Sequence, residues 1–243
     1  MSDETVIREV TPGIWTFSKP FARFGFWPIG GRSTAVQLRD GGVWLLASTP
    51  LTAETKAKLD ELGPVKYIIG ADAVHHLFLG DYKNTYPSAK LIAPVDTIAR
   101  HGDGTLQFDG AWGRDSPETK YGFEEEIDHC YFTGFKNKDV AFFHRSSKSL
   151  IEADLLLNLP AKEQYSKSNE VTSTLLLRFG EFGPFSWLHR KFTGGLAVDQ
   201  DAMRRDAKIV SGWDFNRIIP CHGDIIEGDG KRAWNDLYKE FLE

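Results

Sequence analysis

The chain has 243 residues, of which 41% are hydrophobic and 26% charged, and this composition is typical of a folded protein with a sizeable core. Its net charge of −5 argues against nucleic acid as a main partner, and no apolar run approaches the roughly 20 residues that a membrane helix needs. The acidic start is not followed by an apolar stretch, so we expect no signal peptide and a cytoplasmic protein without membrane partners.

The first half of the chain is predicted to hold short strands and one clear helix. The turns Thr11-Pro12-Gly13 and Asp40-Gly41-Gly42 each separate two β-rich runs. A helix is predicted over residues 53–62, with Thr52 as its cap and Gly63-Pro64 as its end. The alternation of strand, helix and strand indicates an α/β layered sheet. The predicted strands cover residues 6–10, 14–17, 34–38, 43–46, 65–69 and 89–92.

The second half also alternates strands with helices. Met203, Ala207 and Val210 recur at helical spacing, and a last helix carries its apolar residues on one face. No repeat or long linker interrupts the chain, so we expect one domain over residues 1–243. The predicted strands of this half cover residues 127–132, 140–143, 150–151 and 215–219.

An aromatic-rich insertion is predicted at about residues 160–200. Segments of this kind often cover an active site, and here it would shape a pocket for an apolar or aromatic small molecule. Packing against the core is the alternative interpretation. The aromatic residues concerned are Tyr165, Phe179, Phe182, Phe185, Trp187 and Phe192.

Metal-binding side chains follow three of the predicted strands. His75 and His76 come after one strand, Asp154 after a second and His222 after a third. Three imidazoles and a carboxylate form a donor set that zinc, iron or manganese accepts. His129 lies on a predicted strand, and whether it adds a further ligand depends on the register of that strand.

Each of these donors also has a purely structural interpretation. Adjacent side chains such as His75 and His76 diverge by about 100° on a helix, so they converge only at a strand-to-helix junction. Asp154 can cap a loop, and His222 can be a satisfied structural histidine, although Gly223 permits the tight turn that a ligand would need. The remaining histidines are expected near solvent: His101, His144 and His189.

The two cysteines allow two further interpretations. Cys130 and Cys221 can pair, but two thiols in a chain without an export signal are expected to remain reduced. Cys221 adjoins His222, which leaves a nucleophilic thiol as a minor alternative, because the sequence supplies no evident basic partner.

Three features, in this order, resemble the metallo-β-lactamase superfamily. Glu9-Val10-Thr11-Pro12-Gly13-Ile14-Trp15 resembles its opening strand pair, and Ala71-Asp72-Ala73-Val74-His75-His76 stands in place of its His-x-His-x-Asp-His motif. Ile218-Ile219-Pro220-Cys221-His222-Gly223-Asp224 resembles its late Pro-x-His-Gly motif, and Leu150-Ile151-Glu152-Ala153-Asp154 matches the strand before its bridging Asp. The resemblance covers nearly the whole chain. It implies a single domain with an α/β fold, a four-layer αβ/βα sandwich of two mixed β-sheets flanked by helices.

The sequence departs from that superfamily at one of its two metal positions. Ala71 and Ala73 replace the first two motif histidines, and Thr133-Gly134-Phe135 stands where a third first-site histidine is expected. His75 replaces the motif Asp, while His76 keeps the last motif histidine. The resemblance therefore implies one metal ion, bound by the donors that remain: His75, His76, Asp154 and His222.

From the donor set and this resemblance we expect a metal-dependent hydrolase. It would act on a small-molecule ester, lactone or thioester through a metal-bound hydroxide, with one divalent ion, zinc first and iron or manganese as alternatives. Asp154 would serve as a catalytic ligand, and Asp72 or Asp224 would orient the water or a ligand imidazole. The alternatives are a non-hydrolytic metal enzyme, such as an isomerase, lyase or oxygenase, and a binding protein that has lost catalysis.

Overall fold

Two β-sheets pack face to face in the computed structural model, which describes residues 4–102, 104–168 and 182–243. The first sheet has the order β1-β2-β5-β6-β7-β8-β9, and the second has the order β10-β11-β12-β13. A two-stranded hairpin, β3-β4, stands apart from both sheets. The strands are β1 (Val6–Thr11), β2 (Ile14–Lys19), β3 (Ala22–Arg23), β4 (Trp27–Pro28), β5 (Gly31–Gln37), β6 (Val43–Leu46), β7 (Val65–Ile69), β8 (Lys90–Pro94), β9 (Gly110–Trp112), β10 (Ile127–Tyr131), β11 (Val140–His144), β12 (Ser149–Glu152) and β13 (Arg217–Pro220).

Both sheets are mixed. In the first sheet, β1, β2, β5 and β6 pair antiparallel, and β6 to β9 pair parallel. In the second sheet, β10, β11 and β12 pair antiparallel, whereas β12 and β13 pair parallel with Glu152 opposite Pro220. The carboxyl ends of β12 and β13 therefore lie side by side.

Helices cover the outer face of each sheet. Leu59 and Tyr82 pack on the outer face of the first sheet, and Met203 and Trp234 pack on the outer face of the second. Trp44 and Phe142 belong to the core between the sheets, with ring centroids 4.9 Å apart. This four-layer αβ/βα arrangement confirms the predicted fold class. The helices are α1 (Ala53–Leu62), α2 (Leu79–Thr85), α3 (Val95–His101), α4 (Trp187–Gly195), α5 (Gln200–Gly212), α6 (Gly230–Leu237) and α7 (Lys239–Leu242).

Local sequence signals explain the best-predicted elements. Thr52 caps α1 by accepting a hydrogen bond from the Thr55 amide, and Gly63 ends the helix with a φ of +134°. The predicted C-terminal helix is instead divided into α6 and α7 at Tyr238, because the backbone there leaves the helical conformation. Tyr238 is fully buried and donates its hydroxyl to the Leu155 carbonyl, which holds this break against the core.

The predicted insertion is described only in part. Residues 160–168 and 182–200 are described, and they include the helix α4, whereas Phe179 lies outside the described residues. Tyr165 packs in a small cluster with Ile29, Leu157 and Leu159, so this part of the segment packs as core. Trp187, in contrast, is 67% exposed. None of the described helices has both the length and the apolar character required to cross a membrane.

Candidate metal centre

Three predicted donors meet where the two sheets share an edge. His75 lies in the loop after β7, Asp154 in the loop after β12 and His222 in the loop after β13. One ligand atom from each residue lies within 4.8 Å of the other two. The parallel pairing of β12 with β13 brings Asp154 and His222 to the same strand ends, and the facing first sheet brings His75.

The separations of these atoms suit a tetrahedral ion. The Nε2 atoms of His75 and His222 are 3.2 Å apart, and His222 Nε2 is 3.3 Å from Asp154 Oδ1. A tetrahedral zinc ion with bonds of about 2.0–2.1 Å places its ligand atoms about 3.3 Å apart. Two imidazoles and one carboxylate, with further positions open, are also a usual donor set for catalytic zinc. The residues present therefore fit a single metal ion.

The ring of His222 is oriented by the backbone carbonyl of Gly30, directly before β5. Its Nδ1 atom lies 2.6 Å from the Gly30 carbonyl oxygen, so Nδ1 carries the proton and donates. That tautomer leaves the lone pair of Nε2 facing His75 and Asp154. Histidines that bind metal usually donate their other ring N–H in this way, which fixes both the tautomer and the ring orientation.

Asp72 lies against the ring of His75, as the Gly30 carbonyl does against the ring of His222. Its Oδ2 atom lies 2.9 Å from His75 Nδ1 in an ion-pair contact whose angles fall short of a straight hydrogen bond. Its Oδ1 atom accepts hydrogen bonds from the amides of Val74 and His75, at 2.7 and 2.9 Å. Asp72 is fully buried, and Thr97 donates to its carbonyl oxygen. Asp72 is thus placed to orient a ligand imidazole, which is one of the two roles predicted for it.

Asp154 is held by two neighbours from the second sheet. Asn137 Nδ2 donates to Asp154 Oδ2 at 2.5 Å, and the Asp154 amide donates to Asp139 Oδ2 at 2.6 Å. These contacts leave Oδ1 directed toward His222. Burial works to raise the pKa of Asp154, but the imidazoles of His75 and His222 more than offset it and hold this pKa below its usual range.

The carboxylates around His75 favour its protonated form in the metal-free protein. Burial lowers the pKa of His75, but Asp72 and Asp154 together raise this pKa from 6.5 to about 9. A positive charge therefore occupies the centre of the donor set even without a metal ion. Metal binding requires neutral imidazoles, so it would displace this proton.

Two further acids lie buried beneath the donors. Asp139 and Glu152 are fully buried, and burial raises the pKa of both well above the usual range. Glu152 Oε2 accepts hydrogen bonds from the amides of Leu155 and Leu156, which shapes the loop that carries Asp154. The raised pKa values favour neutral acids, so these groups support the loop without adding two full charges to the interior.

One buried arginine connects the His222 loop to the first sheet. Arg32 on β5 is fully buried, and its Nη1 donates to the carbonyl oxygens of Pro220 and Gly223, both at 2.7 Å. Its Nε donates to Ser18 at 3.1 Å, and its Nη2 contacts Glu163 at 3.2 Å. Burial lowers the pKa of Arg32, and Glu163 acts in the opposite direction. The guanidinium thus fixes the position from which His222 is presented.

Gln164 and two glycines complete the support of this loop. Gln164 donates to the Cys221 carbonyl at 2.8 Å and accepts from the Gly223 amide at 2.9 Å. A Cβ atom at Gly30 would lie 1.9 Å from Gln164 Oε1, and one at Gly223 would lie 2.2 Å from the Asn158 carbonyl oxygen. Both glycines also have positive φ, at +71° and +93°, so these positions favour glycine strongly.

The two alanines of the altered motif are part of the core. Ala71 is fully buried between the sheets, and its carbonyl oxygen accepts a hydrogen bond from the Val140 amide at 3.0 Å. Ala73 is also buried, and its amide donates to the Asn137 carbonyl at 2.8 Å. These bonds attach the His75 loop to the second sheet. Neither alanine supplies a donor atom to a second metal position.

The structure places three other predicted site residues away from this centre. The His76 ring contacts His101, with centroids 5.9 Å apart, because the chain turns away from the donors directly after His75. His129 lies on the face of β10 that packs against Trp112, with centroids 5.6 Å apart. Asp224 Oδ1 accepts from the Glu163 amide at 2.8 Å and stabilises the loop rather than facing the donors.

The prediction that His144 and His189 lie near solvent is wrong. His144 is 5% exposed, and its Nδ1 lies 2.8 Å from the Ser147 hydroxyl. His189 is 1% exposed, donates from Nδ1 to the Gly183 carbonyl and accepts the Leu157 amide at Nε2. The arginines next to these histidines, Arg145 and Arg190, do not indicate whether the imidazoles face solvent, because adjacent side chains on a helix or a strand point to different faces.

The cysteines lie in different parts of the interior. Both are free thiols, and Cys130 packs on the outer face of the second sheet whereas Cys221 lies between the sheets. Burial raises the pKa of the Cys221 thiol well above its ordinary value, and its Sγ lies 3.3 Å from the Ser48 hydroxyl. A buried neutral thiol of this kind is a poor nucleophile.

Two cavities border the donors. The first, of about 230 Å³, reaches His75 and His222, and the second, of about 240 Å³, reaches Asp154 and His222. Arg23, on the β3-β4 hairpin, lines both. The first cavity is lined mainly by carbon atoms, and its other lining residues are Lys19, Pro20, Phe21, Gly31, Ser48, Thr49, Pro50, Val74, Leu77 and Phe78.

Sequence reasoning did not identify the residues that hold the donors in place. Arg32, Gln164 and Gly30 lie far from the metal motif in the sequence, and Asn137 lies in a hairpin turn without a motif of its own. The available signals were weak: an arginine within a strand of mostly small residues, and a Gly-Gly pair that precedes it.

Comparison with known proteins assigns the chain to a family and a fold. Residues 12–178 match the family model described as a domain of unknown function, DUF4336, and no match was found among the curated proteins. A metallo-β-lactamase from Erythrobacter litoralis, solved with β-mercaptoethanol in its active site, is 14% identical with a TM-score of 0.64, over 99% of this chain and 98% of that one. A metallo-β-lactamase from Pontibacter korlensis is 13% identical, with a TM-score of 0.61 over 96% and 98% of the two chains.

A third similar structure is the metallo-β-lactamase FIM-1 from Pseudomonas aeruginosa in its mono-zinc form. It is 12% identical, with a TM-score of 0.57 over 98% of this chain and 97% of that one. Identities this low establish the fold and leave the activity open. The chain therefore belongs to the DUF4336 family, and it is a divergent member of the metallo-β-lactamase fold.

Proposed function

We propose that this protein is a mononuclear metal-dependent hydrolase of small-molecule esters, lactones or thioesters. The observation that carries the proposal is the convergence of His75, Asp154 and His222, whose donor atoms lie 3.2 and 3.3 Å apart along the wall of two cavities. The metallo-β-lactamase fold of the chain and the mono-zinc form of one similar structure support it.

The residues present suit a catalytic ion better than a structural one. Structural zinc sites use four protein ligands, whereas three protein ligands leave a position for water or substrate. A zinc ion held by His75, Asp154 and His222 would lower the pKa of a coordinated water and polarise a substrate carbonyl. The Gly30 carbonyl fixes the tautomer of His222, and Asp72 Oδ2 lies 2.9 Å from His75 Nδ1, where it would orient that imidazole in the same way.

The first cavity provides an apolar setting for one side of the scissile ester or thioester. Phe21 stacks over the His222 ring with centroids 6.0 Å apart, and Val74 and Phe78 supply further apolar surface. In the proposed reaction the oxygen of water bonds to the carbonyl carbon, the acyl C–O or C–S bond breaks, and a proton of that water passes to the leaving alkoxide or thiolate. Apolar walls would hold the apolar group on one side of the scissile bond.

The donor set also favours one alternative. Two histidines and one carboxylate with open positions form the arrangement that ferrous oxygenases use. Iron in the purified protein, with turnover that requires dioxygen, would support this second function. Zinc, with turnover that does not depend on dioxygen, would support the hydrolase.

The hydrolase is tested by removing and restoring the metal. Chelator-treated protein should not hydrolyse a 4-nitrophenyl alkanoate, an alkyl lactone or an alkyl thioester, and one equivalent of zinc should restore the activity. His222→Ala should abolish both the restored activity and metal retention, whereas His101→Ala, at the end of α3, should retain both. Hydrolysis by His222→Ala at the parent rate, or no hydrolysis of any ester class by the zinc-loaded parent, would contradict the proposal.

A further inference from the structure

The second cavity is lined by more cationic than anionic side chains among the described residues, although the whole chain carries a net charge of −5. Its described lining residues include two cationic side chains, Arg23 and Lys136, and a single carboxylate, Asp154. Asp154 is itself one of the proposed metal ligands, so its charge would be neutralised when an ion is bound. A surplus of positive charge at this entrance attracts an anionic ligand.

Arg23 and Lys136 both line the second cavity, and both are cationic. Among the described residues, no carboxylate oxygen lies within 4 Å of either cationic group. The Arg23 guanidinium rests over the Phe24 ring at 5.3 Å from its centroid, and Lys136 is exposed in the turn after β10. Lys138, two residues further along the same turn, instead donates to the Thr133 carbonyl.

The rest of the second cavity is apolar and partly aromatic. Trp27 packs edge-on against Phe182 and Phe192, with ring centroids 5.2 and 6.3 Å apart, which fixes the orientation of its indole. Leu157 and Ile29 form the opposite part of the lining. A hydrocarbon or aromatic group that ends in a negative charge would match both the walls and the cations of this cavity.

We propose that the substrate carries a carboxylate at the end of an apolar group, and that Arg23 and Lys136 bind this carboxylate in the second cavity. A guanidinium can bind both carboxylate oxygens at once, and an ammonium adds a point charge. A singly charged group is favoured over a phosphate dianion because Asp154 lines the same cavity. The inference rests on the proposed hydrolase, because it assigns the scissile carbonyl to the metal centre between the two cavities.

The charge of Asp154 offers a simpler explanation for Arg23, which is close enough to help hold the pKa of this carboxyl low. That explanation does not extend to Lys136, whose ammonium lies more than 4 Å from the Asp154 carboxylate. It also predicts a different result, since Arg23 would then affect metal binding and not the choice of substrate.

Binding to the metal-free protein tests the carboxylate site without catalysis. The probes are 3-phenylpropanoate and the uncharged 3-phenylpropanol, titrated by calorimetry in the presence of chelator. We expect the carboxylate to bind about tenfold more tightly than the alcohol, and Arg23→Ala and Lys136→Ala each to remove most of this preference. Lys208→Ala, an exposed lysine of α5 outside both cavities, is the matched control and should change nothing. Equal binding of acid and alcohol by the parent would overturn the inference.

Turnover by the zinc-loaded protein separates this inference from the proposed function. The substrates are 4-nitrophenyl hexanoate and the 4-nitrophenyl monoester of adipic acid, which differ by a terminal carboxylate. We expect the ratio of kcat/KM for the acid to kcat/KM for the neutral ester to fall at least fivefold in Arg23→Ala and Lys136→Ala and further in Lys136→Glu. Hydrolysis with an unchanged ratio would overturn the carboxylate site and keep the hydrolase. Carboxylate binding without hydrolysis of either ester would overturn the hydrolase and keep the carboxylate site.

Discussion

Replacing Arg32 tests whether one buried guanidinium holds the His222 loop in place. Arg32→Met keeps an unbranched apolar stem in a shorter side chain. It loses the hydrogen bonds to Ser18, Pro220 and Gly223 and the ion pair with Glu163. Removing one partner of a buried charged network costs about 3–5 kcal/mol, because the remaining polar groups lose their partners in the interior. Single hydrogen bonds to a charged group are worth about 1.5–3 kcal/mol each but are not additive, which leads to the same range.

We therefore expect Arg32→Met to lower the free energy of unfolding by about 3–5 kcal/mol in urea denaturation followed by circular dichroism. Arg39→Met is the matched control, because the Arg39 side chain is 75% exposed and its ion pair with Glu126 has a distance of 3.8 Å. Such an exposed pair contributes less than about 1 kcal/mol. Similar small losses in both variants would show that the Arg32 network does not hold the loop.

Two further perturbations follow from the backbone of this loop and from a buried histidine. Gly223→Ala should destabilise the protein by at least about 2 kcal/mol, because the new Cβ would meet the Asn158 carbonyl at a backbone φ of +93°. In the control variant Gly194→Ala, on α4, the new Cβ meets no atom within 4 Å, so this variant should be neutral or stabilising. Equal unfolding midpoints for the two variants would contradict this expectation. Burial lowers the pKa of His189 from 6.5 to about 4, so the unfolded chain binds this proton first and stability falls as the pH drops below 6.5. The loss should reach about 2 kcal/mol between pH 7 and pH 5, and His189→Gln should flatten this dependence; parallel profiles for the parent and the variant would refute the assignment.

The order of elements was predictable because local signals and tertiary structure agree over most of the chain. The strand over residues 65–69 and the helix over residues 53–62 were predicted with the bounds that the structure gives, since each combines an apolar pattern with clear end signals. The short hairpin β3-β4 was not predicted, because two-residue strands carry no periodic pattern. Its residue Arg23 nevertheless contributes to both cavities.

The candidate site was predictable in its donors and less so in their geometry. Asp154 and His222 follow adjacent parallel strands, so strand order alone places them together. Which of His75 and His76 faces the centre depends on the turn of the backbone between them, which a pair of identical residues does not reveal. The residues that orient the imidazoles, such as Gly30, act through backbone atoms, and a backbone carbonyl leaves no signature in the sequence.

Zinc titration of the chelator-treated protein, with the bound metal counted after gel filtration, tests the metal centre most directly. We expect about one equivalent per chain, lost in His75→Ala, Asp154→Ala and His222→Ala and retained in His76→Ala, whose imidazole contacts His101 instead. Two tightly bound equivalents in the parent, or one retained equivalent in His222→Ala, would contradict a single ion held by His75, Asp154 and His222.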